Sequence, residues 1–64
     1  MKVNGKTVTL EKPVTLAEFL QSSGYDLLRI AVELNGNIVP RGTFGEVTLS
    51  PEDTLEIVNF VGGG

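Results

Sequence analysis

The chain is 64 residues long, 41% hydrophobic, with five basic and eight acidic side chains and a formal charge of −3. That allows one domain with a single small core and excludes a disordered chain. Cys and His are both missing, which removes disulfides, zinc centres, thiol nucleophiles and the usual general base at neutral pH. An acidic balance speaks against nucleic acid as a partner, because phosphate contacts supply most of that affinity.

Residues 1–12 carry three Lys and one Glu, whereas residues 13–64 carry two Arg and seven acids. Asn4-Gly5 stands between Val3 and the alternating run Lys6 to Leu10, and Asn-Gly suits the two positive-φ positions of a type I′ hairpin turn. Val8 and Leu10 are expected to face the core. A helix is expected over Thr15 to Ser23. Thr15 and Glu18 have capping-box spacing, and Val14 with Phe19 forms a hydrophobic staple. Leu16, Phe19 and Leu20 make one apolar stripe. Gly24 suits a left-handed C′ position, with Tyr25 closing back on Leu20.

Arg29 to Leu34 alternates, with Ile30, Val32 and Leu34 on one face. A second Asn-Gly, Asn35-Gly36, turns the chain into a short strand at Ile38-Val39 that Pro40 stops. Residues 40–46 read as loop and Val47 to Leu49 as a brief edge strand. Ser50 to Asp53 is a turn, and Thr54 to Val61 is the last strand. One helix on a mixed sheet of four to five strands is an α+β fold. Setting the first and last strands side by side as a parallel central pair gives the β-grasp, or ubiquitin-like, arrangement. The expected division is a single domain over residues 1–61 and a flexible glycine tail over 62–64.

Catalytic constellations are missing. Glu52-Asp53 is a solvated corner, Ser22-Ser23 has no base beside it, and neither Asn-Gly pair forms a Walker loop. The chain is therefore expected to be no enzyme, and to bind no metal or cofactor of its own. Its end is more informative. Gly62, Gly63 and Gly64 extend about 10 Å beyond the last strand, and glycines can thread a narrow channel closed to other residues. An adenylated terminal carboxylate is a good electrophile for a nucleophile delivered by a partner. In the last strand Leu55 and Ile57 point to the core, which turns Val58 and Phe60 outward as an apolar docking patch. Val61 is included among the expected partner contacts.

The segment Glu56 to Gly64, together with Val3-Asn4-Gly5-Lys6 and Leu34 to Arg41, resembles the ThiS family of sulfur carriers in thiamine thiazole biosynthesis. The resemblance runs the whole chain. One departure is Phe44, near a position where many relatives carry Trp. The resemblance implies a β-grasp fold and a cycle on Gly64. An E1-like adenylyltransferase of the ThiF type uses ATP and Mg²⁺ to adenylate its carboxyl. Sulfur derived from cysteine through a desulfurase then leaves a thiocarboxylate, and a ThiG-type thiazole synthase accepts the sulfur. The small subunit of molybdopterin synthase and a ubiquitin-like protein modifier share the fold and tail, and the residues alone leave both open, as they do a plain interaction module with an idle tail. No apolar run reaches the ~18 residues of a membrane span and no signal peptide opens the sequence, so a cytoplasmic protein is expected.

Overall fold

The computed structural model describes residues 1–60. Strands β1 (Lys2–Val3) and β2 (Lys6–Thr7) form the first hairpin, followed by helix α1 (Leu16–Ser22). Strands β3 (Ile30–Leu34) and β4 (Asn37–Ile38) form the second hairpin, and β5 (Thr54–Asn59) comes last. The sheet order is β2-β1-β5-β3-β4. β1 and β5 are parallel, while β5 runs antiparallel to β3. The last strand thus occupies the centre of a mixed sheet, as the β-grasp expectation requires.

Both hairpins turn on Asn-Gly. Asn4 and Gly5 have φ of 51° and 84°, and Asn35 and Gly36 have 52° and 87°. Positive φ at both central residues matches the right-handed twist of the flanking strands.

The helix ends are set locally. The Thr15 hydroxyl accepts the Glu18 N–H at 3.1 Å, and the Glu18 carboxylate accepts the Thr15 N–H at 2.9 Å, completing the capping box. At the far end the Tyr25 N–H donates to the Leu20 carbonyl and the Gly24 N–H to that of Gln21. Gly24 sits at φ +88°. This is a Schellman ending, in which the left-handed residue lets the final carbonyls be satisfied. Leu16 and Leu20 are fully buried and pack with Ile30, Val32, Leu55 and Ile57 from the inner sheet face. Val14 and Phe19, the staple pair, lie against this core.

Strand bounds shift by a residue or more, with β2 ending at Thr7, β4 spanning Asn37–Ile38 and β5 ending at Asn59, and two segments differ in kind from the sequence expectation. Residues 41–46 form a 3₁₀-helix (Arg41–Glu46) rather than loop, with Phe44 buried. Gly42 and Gly45 hide any helical pattern, and one buried aromatic anchors the turn. Phe44 is therefore a core residue. Val47 to Leu49 do not join the sheet. Their backbone pairs instead with the entry to α1: Leu16 N–H donates to Val47 O at 2.8 Å and Leu49 N–H to Val14 O at 2.9 Å. Leu49 is buried in the core. Among the described residues no helix is long and apolar enough to cross a membrane.

Candidate functional site

The outer face of the β3–β5 ladder carries the candidate site. Inward alternation of Leu55 and Ile57 leaves Val58 58% and Phe60 50% exposed, as the sequence predicts. Phe60 lies one residue beyond β5, yet its N–H donates to the Arg29 carbonyl at 2.7 Å. The ladder therefore continues to the last described residue. Val61, Gly62, Gly63 and Gly64 lie outside the described residues.

Three cross-strand pairs follow one another on this face. Phe60 stands opposite Arg29, Val58 opposite Ala31, and Glu56 opposite Glu33. On the next strand Ile38 pairs with Glu33 and is 67% exposed. The one ion pair among the described residues joins Arg29 Nε to Asp26 Oδ2 at 3.5 Å. Both partners are solvated, so it contributes about 0–1 kcal/mol. Asp26 also accepts the Leu28 N–H at 2.9 Å, a short Asx-type turn that leaves Leu28 out in solvent.

Three polar side chains hold the strands that present this face. Asn4 brackets Ile57: its Nδ2 donates to Ile57 O at 3.1 Å, and its Oδ1 accepts Ile57 N–H at 2.7 Å. Asn35 acts similarly at the start of β5. Its Oδ1 accepts the Thr54 N–H at 3.0 Å, and its Nδ2 donates to Asp53 Oδ1 at 3.0 Å. The Asn35 amide and the Ser50 N–H, which donates to Asp53 Oδ2, hold the Asp53 carboxyl below its ordinary range. Arg41 Nη2 donates to the Ile30 carbonyl at 3.3 Å. Pro40 ends the β3–β4 pairing, and this guanidinium satisfies the next carbonyl along.

On the sequence alone Asn4 and Asn35 belong to turns only. Each has a donor and an acceptor on one short side chain, but their target is a strand far along the chain, which no local pattern reveals. The Glu33–Glu56 pairing has no sequence signal either, because it depends on the register between β3 and β5. Of the Glu52-Asp53 corner, Glu52 is exposed as expected, whereas Asp53 is half-buried and held by Asn35 and Ser50 rather than simply solvated.

Comparison with known proteins matches the ThiS family over residues 1–64. The chain belongs to the ThiS family. It is 37% identical to the sulfur carrier protein ThiS of Bacillus subtilis over 65 residues, covering 100% of this chain and 98% of that protein. It is 40% identical over 62 residues to a thiazole synthase of Magnetococcus marinus. That match takes 97% of this chain and 19% of the longer protein. The fold superposes on the crystal structure of the thiamine biosynthesis protein ThiS from Geobacter metallireducens with a TM-score of 0.82 at 32% identity. The superposition covers 98% of this chain and 96% of that one.

Proposed function

We propose that this chain is a carrier rather than an enzyme, and that it brings sulfur to thiazole formation as a thiocarboxylate on Gly64. The observation that carries the reading is the exposed Val58–Phe60 patch at the end of the central strand, four residues before Gly64. At about 3.3–3.6 Å per residue, Gly64 lies within roughly 14 Å of Phe60. A partner gripping this patch can therefore reach the terminal carboxylate. Membership of the ThiS family supports the cargo.

In this reading an E1-like adenylyltransferase of the ThiF type binds the face and receives the tail. A Gly64 carboxylate oxygen attacks the α-phosphorus of ATP, and pyrophosphate leaves; Mg²⁺ on the partner balances the phosphate charge. A desulfurase draws sulfur from cysteine as a persulfide, whose outer sulfur attacks the acyl carbon while AMP departs with the transferred oxygen. Two electrons from a thiol reductant then cleave the S–S bond of the resulting acyl disulfide, leaving the thiocarboxylate on Gly64. Gly62 and Gly63 supply clearance, since a Cβ would block a narrow channel. A thiazole synthase of the ThiG type then takes the sulfur. The thiazole synthase of Magnetococcus marinus, whose sequence includes a segment similar to this chain, supports that acceptor.

Intact mass spectrometry tests the reading. Incubation with the adenylyltransferase, ATP, Mg²⁺ and a sulfur donor is expected to add the difference between sulfur and oxygen, and deletion of Gly64 to abolish that gain. An unchanged mass with an enzyme active on another carrier would overturn it.

A further inference from the structure

The outer face is not uniformly apolar. Glu33 and Glu56 are directly opposed in the β3–β5 register, both exposed, and among the described residues neither forms an ion pair. Like charges facing each other across a strand pair are destabilising, and among the described residues no basic side chain is paired with either. The pair lies next to Val58 and Ala31 on the same face, with Ile38 flanking Glu33. At the other end of the patch Arg29 is already neutralised by Asp26. The face therefore offers two uncompensated carboxylates at one end of an apolar strip and the route to Gly64 at the other.

We propose that this face docks a protein partner that lays an arginine across Glu33 and Glu56 while its apolar side chains cover Val58 and Phe60. Directly opposed residues have Cβ atoms about 4.5–5.5 Å apart, a span that one guanidinium fork bridges with a hydrogen bond to each carboxylate. The partner is the protein that acts on the terminus, because Phe60 at one end of this strip is four residues from Gly64, a reach of roughly 14 Å. The inference rests on the carrier reading. The carboxylates also fix direction: a partner docked the other way round would leave its arginine beside Phe60, with no unpaired carboxylate to receive it.

The test is binding of the full chain to the ThiF-type adenylyltransferase of the same organism, by calorimetry at low and high salt. The isosteric E33Q/E56Q variant is expected to bind about tenfold more weakly at low salt, with the gap narrowing as salt rises. It should melt at or above the wild-type temperature, because the repulsive pair is gone. A lower melting temperature would overturn the premise of repulsion. Unchanged affinity of E33Q/E56Q, with binding lost in Val58→Asp, would overturn the arginine contact while keeping the docking face. Unchanged affinity of both variants, with sulfur still loaded on Gly64, would overturn the face and leave the carrier reading standing. Wild-type binding without any sulfur gain would instead count against the carrier reading.

Discussion

The carboxamide of Asn4 is bonded to both backbone groups of Ile57, 53 residues away, donating at 3.1 Å and accepting at 2.7 Å. It behaves as one more peptide unit of β1. The parallel β1–β5 pairing ends where the hairpin turns, and the side chain supplies the next pair of bonds. A turn residue thus becomes part of the central sheet.

Removing that amide should be costly. Asn4→Gly keeps the positive φ and deletes only the side chain, so it isolates the two bonds. Leaving the Ile57 groups short of partners should cost about 1–3 kcal/mol. Asn4→Ala adds the penalty of a left-handed residue with a Cβ, about 1–2 kcal/mol more. Urea unfolding of the two variants reads both steps, and equal midpoints for wild type and Asn4→Gly would refute the bracket.

Gly24 offers a simpler case. A Cβ there would meet nothing within 4 Å, so Gly24→Ala carries only the strain of φ +88°. The expected loss is about 1–2 kcal/mol. In a domain of this size that lowers the melting temperature by roughly 4–8 °C per kcal/mol.

Acid should weaken the fold through Asp53. Hydrogen bonds from the Asn35 side chain and the Ser50 backbone lower its pKa below the ordinary 3.8. A depressed pKa means the carboxylate contributes stability above the unfolded value. That contribution is lost as pH falls from about 3.8 through the folded value. Glu18, lowered mainly by its bond to the Thr15 backbone, adds to the same trend. Denaturation midpoints for Asp53→Ala should be lower at neutral pH and fall less steeply in acid. Parallel acid slopes for wild type and variant would contradict this.

Docking and folding should separate at the outer face. Val58→Asp and Phe60→Ala alter half-exposed or more exposed side chains, so stability should fall by no more than about 1 kcal/mol. Sulfur loading by the adenylyltransferase should drop sharply. Gly63→Val should abolish loading with an unchanged melting temperature, and normal loading of that variant would refute the need for a slender tail.

The sequence reveals most where structure is decided by neighbours. Thr15, Glu18, Gly24 and Tyr25 specify both ends of α1 within eleven residues, and each Asn-Gly sets its own hairpin. Alternation in β5 is enough to turn Val58 and Phe60 outward. It fails where distant segments meet. Val47 to Leu49 read as a strand because they are strand-like, but their backbone partners precede the helix. The 3₁₀-helix around Phe44 has no periodic signature. Of the site, the apolar patch is legible, whereas the Asn4 and Asn35 brackets and the Glu33–Glu56 pair appear only once the strand register is known.

The central place of β5 also has a mechanical meaning. A partner drawing on the residues after Phe60 pulls along the strand, so its hydrogen bonds to β1 and β3 are loaded in shear together and not peeled one at a time. The Asn4 bracket adds two more bonds near the point where the load enters. On the proposed carrier reading, such anchoring would let successive enzymes draw on the end of the chain without unravelling the body that carries it.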